Sequence, residues 1–64
     1  MGIRADIVKV HSDEFRDRFY AALRSKGFSQ EFCVAEYEYL KTAYPPKSVQ
    51  NPELEADHTH GYFG

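Results

Sequence analysis

Cysteine is almost absent from this sequence: Cys33 stands alone in 64 residues, and tryptophan is missing altogether. A single cysteine excludes an internal disulfide, and with it the disulfide scaffold of many small secreted domains. No stretch approaches the roughly 18 apolar residues that a membrane-spanning helix needs. Residues 1–10 carry Arg4, Asp6 and Lys9 and lack an apolar core, so they do not match a signal peptide. We therefore expect a cytoplasmic protein without a membrane partner.

The length of the chain limits what it can be. A chain of 64 residues accommodates at most one domain and lies below the length at which a single core comfortably supports folding. Small proteins usually gain the missing stability from disulfides, metals or oligomerisation. Because a disulfide is excluded, we expect a homodimer, or a fold that is completed on a partner.

Patterns that carry catalysis or bind metals are also scarce. His11, Ser12 and Asp13 are consecutive, so their side chains cannot line up as the nucleophile, base and orienting acid of a triad. His58 and His60 form one short pair, whereas zinc signatures need two ligand pairs at fixed spacing. No glycine-rich phosphate loop occurs. We expect a protein that is not an enzyme and that holds no metal or cofactor.

A first helix is predicted at about residues 12–26. Ser12 is a suitable N-cap, because its hydroxyl can accept a hydrogen bond from a free N–H group of the first turn. Apolar residues then recur on one helical face: Phe15, Phe19, Ala22 and Leu23. Gly27 should end the helix in the left-handed conformation, and Phe28 should contact Leu23 in a Schellman motif.

A second helix is predicted at about residues 29–43, with Ser29 as its N-cap. Its central stripe consists of Cys33, Tyr37, Leu40 and Tyr44. Pro45 and Pro46 end it, because a residue that precedes proline disfavours the helical conformation. The short link between the two helices predicts a two-helix hairpin.

Residues 3–10 are rich in β-branched side chains and roughly alternate, which favours a strand or extended arm. The alternative is a helix with Ile3, Ile7 and Val10 on one face. A lone strand would leave its backbone N–H and C=O groups unpaired. Because little else in the chain has a strand pattern, we expect this strand to pair with another copy or with a partner.

The chain divides into two parts by composition. We take residues 1–44 as a strand–helix–helix module and residues 45–64 as a proline-containing, acidic tail. Residues 45–64 contain the three prolines of the chain and are polar or acidic up to the closing residues. Such a composition predicts an irregular tail. Tyr62 and Phe63 are exceptions, since disordered segments normally lack aromatics. We expect the tail to fold back on the hairpin or to dock on a partner. The predicted fold class is thus mainly α, with an N-terminal strand, a helical hairpin and an irregular tail.

The order of strand, Ser-capped helix, glycine turn and Ser-capped helix resembles the ribbon–helix–helix family of DNA-binding repressors and antitoxins. The resemblance covers about residues 5–44 and lies in the layout of two segments, "DIVKVHSDEF" and "RSKGFSQEF". In that family, paired strands of two copies enter the major groove of DNA. The resemblance implies that Ile7 and Lys9 face the bases and that Ser29 and Gln30 meet a phosphate.

A protein-binding function is the other hypothesis, and we favour it. The second helix alternates acids with tyrosines in "EYEYLKTAY", and tyrosine is frequent at protein interfaces. Residues 27–64 contain two lysines and six acids, a net charge of −4. The residues that we predict to contact a protein partner are Tyr37, Glu38, Tyr39, Tyr62 and Phe63. We therefore expect a small non-enzymatic regulatory protein, similar in style to accessory or phage-type inhibitors. A dimeric DNA-binding repressor is the alternative.

Overall fold

Three helices and a two-stranded antiparallel sheet make up residues 7–63, the part of the chain that this computed structural model describes. In chain order the elements are β1 (Val8–Lys9), α1 (Asp13–Ser25), α2 (Gln30–Ala43), β2 (Val49–Gln50) and α3 (Pro52–Phe63). The predicted class, mainly α with an N-terminal strand and a two-helix hairpin, is confirmed. The first half of the predicted strand, residues 3–6, lies outside the described residues.

Helix α1 begins and ends as its sequence predicts. The Ser12 hydroxyl accepts a hydrogen bond from the backbone N–H of Phe15, at 3.2 Å. At the other end, Gly27 has a φ of +99°, a conformation that glycine adopts at little cost. The N–H of Phe28 donates to the carbonyl of Leu23, and the N–H of Gly27 donates to Arg24. These two bonds are the Schellman motif, which reverses the chain towards α2.

Helix α2 also begins at a serine, since the Ser29 hydroxyl accepts from the N–H of Phe32 at 3.2 Å. It ends at Tyr44, which is extended (φ −116°, ψ 136°) directly before Pro45. This conformation is the one that a following proline imposes. The predicted hairpin of α1 and α2 is therefore present.

The core lies mainly between α1 and α2 and is closed by β1 and α3. Its buried side chains are Val10, Phe15, Phe19, Leu23, Cys33, Tyr37, Leu40 and Ala56. Tyr37 is 4% exposed, and its ring packs against both Phe15 and Phe19. Its hydroxyl donates a hydrogen bond to the Val10 carbonyl at 2.7 Å, which satisfies the polar end of a buried ring.

The strand β1 pairs within its own chain, which corrects the expectation that it pairs with another copy or a partner. Val8 lies opposite Gln50 and Lys9 opposite Val49. A turn in which the N–H of Ser48 donates to the Pro45 carbonyl brings β2 back to β1. The unpaired strand was a reason to expect a homodimer. That reason no longer holds, and the homodimer stays a prediction.

The tail is not irregular, which corrects the second expectation: most of it forms α3. The Asn51 side chain accepts a hydrogen bond from the N–H of Leu54 at 2.9 Å, so Asn51 is the N-cap. Pro52 occupies the first helical position, where its missing N–H costs nothing. Glu53 follows in the first turn, where an acid complements the helix dipole. These local signals make a helix of a polar segment.

Helix α3 folds back on the hairpin, which is one of the two arrangements expected from the terminal aromatics; docking on a partner was the other. Its buried residues are small, Pro52 and Ala56, which allows a close approach to α1. Two ion pairs hold α3 in place. Arg18 of α1 pairs with Glu53 at 2.6 Å, and Lys26, the residue that follows α1, pairs with Asp57 at 2.7 Å. Among the described residues, no helix is long and apolar enough to cross a membrane.

Candidate functional site: a groove between α2 and α3

Helices α2 and α3 touch each other near their ends and leave a groove between these contacts. At one end the ring of Phe32 meets the ring of Phe63 edge-on, with centroids 5.3 Å apart. At the other end the Tyr44 hydroxyl donates to the Glu55 carboxylate at 3.0 Å. The groove has a volume of about 430 Å³ and is lined by Glu36, Tyr39, Leu40, Glu55, His58, Thr59, Tyr62 and Phe63.

Three of the five predicted partner-binding residues lie together in this groove. Tyr39 is 65% exposed, Tyr62 85% and Phe63 54%. Tyr39 comes from α2 and the other two from the last turn of α3, so the fold brings together residues far apart in the sequence. Large aromatic rings with this exposure bury extensive area when a partner covers them.

The other two predicted contacts do not line the groove. Tyr37 is buried in the core, so the predicted contact role does not fit its position: the ring presents no face to a partner. Glu38 is exposed outside the groove and forms an ion pair with Lys41 at 3.2 Å on the same helix. The cause is helical geometry, because each residue turns about 100° from its neighbour and only Tyr39 of this run points towards α3.

Glu36 carries an acidic charge on the α2 wall of the groove. Burial raises the pKa of its carboxyl, because desolvation disfavours the charged form. Within residues 7–63 no lysine or arginine pairs with this carboxylate. Across the groove, Glu55 is bound to the Tyr44 hydroxyl, and burial together with this carboxylate raises the pKa of Tyr44. The groove is therefore aromatic and acidic.

The two histidines of α3 have different surroundings. His58 lines the groove, whereas the His60 ring lies edge-on to Phe28 with centroids 6.0 Å apart. Two residues along a helix are separated by about 200°, so the pair cannot act from one edge as it could in an extended segment. In the described part of the chain, no three histidine, cysteine, aspartate or glutamate side chains are grouped to hold a metal ion.

The residues of the DNA-binding alternative lie elsewhere on the surface. Ile7 and Lys9 are exposed beside and within β1. Ser29 and Gln30 already have protein partners, since the Ser29 hydroxyl caps α2 and the Gln30 side chain accepts from Arg24 at 3.1 Å. A phosphate at this helix end would compete with the cap for the same N–H groups.

The α3 wall of the groove, apart from its two aromatics, was not predicted from the sequence. Glu55, His58, Thr59, Tyr62 and Phe63 are spaced at i, i+3, i+4, i+7 and i+8. This spacing marks one face of a helix, but it has meaning only once the segment is known to be helical. Asn51 as N-cap, followed by Pro52 at the first helical position, was the signal in the sequence that could have shown that this segment is helical.

Comparisons of the chain with protein-family models, with curated proteins and with solved structures found no match. The resemblance to the ribbon–helix–helix family therefore stays a prediction from the layout of the sequence.

Proposed function

We propose that this chain is a small, non-enzymatic regulatory protein that acts in the cytoplasm by binding another protein through the groove between α2 and α3. One observation carries the proposal: Tyr39, Tyr62 and Phe63 are exposed and line one groove. Rigid aromatic side chains are typical anchors of protein interfaces, because they bury much area at a low cost in side-chain entropy. A regulatory role, as an accessory protein or an inhibitor, needs no chemistry beyond such binding.

The groove suits a macromolecular partner because its aromatics are at the surface. A small ligand is normally enclosed over most of its area in a concave pocket. Here Tyr62, the most exposed of the three aromatic residues, is 85% exposed. A partner that laid a continuous surface over the groove would cover it.

Site-specific photo-crosslinking tests the proposal. A photoreactive phenylalanine analogue replaces Tyr62 in one sample and Leu54 in a matched control. Leu54 is also an exposed apolar residue of α3 but does not line the groove. We expect one dominant protein adduct from position 62 in a lysate of the native host, and none from position 54. Excess unlabelled wild-type chain should suppress the adduct, whereas a Tyr39→Ala, Phe63→Ala double variant should not.

Other results would contradict the proposal. Equal labelling from both positions, or equal suppression by both competitors, would mean that the groove is not the contact surface. Adducts to duplex DNA that are lost in a Lys9→Ala variant and at high salt would instead favour the DNA-binding alternative.

A further inference from the structure

The acids of the three helices differ in how their charge is balanced. Glu53 and Asp57 form ion pairs with Arg18 and Lys26, and Glu38 pairs with Lys41. Glu36 has no such partner in residues 7–63, although it is half-buried against the groove. A partly desolvated carboxylate without a cation favours any ligand that supplies one. The groove thus has an open position for a positive charge.

Apolar and aromatic surface surrounds this position. Leu40 follows Glu36 by one helical turn and lies at the base of the groove, almost fully buried. Tyr39 stands on one side and the pair Tyr62 and Phe63 on the other. A ligand that fits must therefore combine an apolar surface for the rings with a cation for Glu36.

The walls also limit the backbone of the ligand. Both walls are helices, whose backbone N–H and C=O groups are paired internally over most of their length. The walls therefore offer a ligand few backbone partners, which favours a helix, whose own backbone groups are paired, over an extended peptide. From Glu55 to Phe63 the α3 wall is about 12 Å long at 1.5 Å per residue, enough for roughly two turns of a helix.

We propose that the groove binds a basic amphipathic helix of the partner protein. Its apolar face packs on Leu40 between the rings of Tyr39 and Phe63, and a lysine or arginine of that helix meets the Glu36 carboxylate. This is the helix-in-groove mode of recognition, with anchors at i, i+3 or i+4, and i+7. The net charge of −4 in residues 27–64 would attract such a helix over a longer range. The inference rests on the proposed function and names the partner of the same groove.

Two synthetic peptides test it. The basic peptide carries leucine at the i, i+3, i+4 and i+7 positions and lysine on its other positions, and the neutral peptide has glutamine in place of every lysine. Each is titrated into the ¹⁵N-labelled full chain at low salt, and binding is followed by amide chemical shifts. We expect the basic peptide to shift the signals of Tyr39, Thr59 and Phe63. Glu36→Gln should weaken it roughly fivefold, as expected for one partly exposed charge contact.

Glu38→Gln is the matched control, since it removes an acid of the same helix that lies outside the groove. It removes the same amount of long-range charge, so it should weaken binding clearly less than Glu36→Gln does. Equal affinity for the neutral peptide, or equal weakening by Glu36→Gln and Glu38→Gln, would overturn the basic helix. The proposed function would stand in that case if position 62 still cross-links its partner. Failure of both experiments would remove the groove as a docking surface.

Discussion

Arg18 and Glu53 form a two-point contact between helices that are far apart in the sequence. The Nε of Arg18 donates to one carboxylate oxygen of Glu53 at 3.0 Å, and Nη2 donates to the other at 2.6 Å. The planar guanidinium and the carboxylate match in geometry, so the pair fixes direction as well as distance. It therefore orients the first turn of α3 on α1, and with it the wall of the groove.

Glu53→Gln should lower the free energy of unfolding by about 0.5–1 kcal/mol, because one partner of a partly exposed bidentate pair loses its charge. Urea unfolding followed by circular dichroism measures this change, since the chain has no tryptophan for fluorescence. Glu38→Gln is the control, because its partner Lys41 lies on the same helix. An equal loss in both variants would mean that the Arg18–Glu53 pair contributes nothing specific to the docking of α3.

The stability of the fold should fall in acid. The hydrogen bond from Arg18 lowers the pKa of Glu53, and the hydrogen bond from Lys26 lowers that of Asp57. A carboxyl with a depressed folded-state pKa contributes stability above its unfolded-state value and loses it as pH falls through the folded-state pKa. The ordinary pKa is 4.5 for a glutamate carboxyl and 3.8 for an aspartate carboxyl, and we take these as the unfolded-state values.

We therefore expect the melting temperature to decrease from pH 4.5 downwards. A Glu53→Gln, Asp57→Asn variant should show a shallower decrease over the same range. If the two curves were parallel, other groups would cause the acid sensitivity.

The sequence predicts α1 and α2 well because their signals are local and agree with one another. Each has a serine cap, a stripe of large apolar residues and a definite end. Helix α3 lacks the stripe of large apolar residues. Its buried residues are Pro52 and Ala56, which are too small to make an apolar pattern. The strand β2 has two residues, and its pairing depends on long-range contacts. The groove was not predicted, because its second wall is the helix that was missed, although the cap at Asn51 and Pro52 marks where that helix begins.

Gly27→Ala and Gly61→Ala should change stability in opposite directions. Gly27 has a φ of +99°, and an added Cβ would contact nothing within 4 Å, so the whole cost is backbone strain of about 1 kcal/mol. Gly61 lies inside α3, where the added Cβ also meets open space. Alanine there should stabilise the protein by about 0.5–1 kcal/mol through its helix propensity. Denaturant unfolding of both variants checks the signs, and a stabilising Gly27→Ala would contradict the left-handed turn.

Tyr37→Phe should destabilise the fold by about 1–3 kcal/mol, because the Val10 carbonyl loses its donor in a buried place. Tyr39→Phe is the control, since Tyr39 is exposed and its hydroxyl faces solvent or a partner. Urea unfolding should therefore separate the two variants. Equal stabilities of the two variants would mean that water replaces the Tyr37 hydroxyl as the donor to the Val10 carbonyl, so that this hydrogen bond adds nothing to the stability of the fold.

Glu36→Gln should raise the free energy of unfolding by a few tenths of a kcal/mol at neutral pH, although it weakens binding of the basic helix. Burial raises the folded-state pKa of Glu36, so the charged carboxylate costs stability at every pH above that pKa. As pH falls through it, the wild-type carboxyl becomes neutral, and the difference from the variant should close. Denaturant unfolding at neutral pH and at about pH 4 measures both values. If the variant were less stable than wild type at neutral pH, the Glu36 carboxylate would support the fold. Its charge would then not be evidence for a lysine or arginine on a partner.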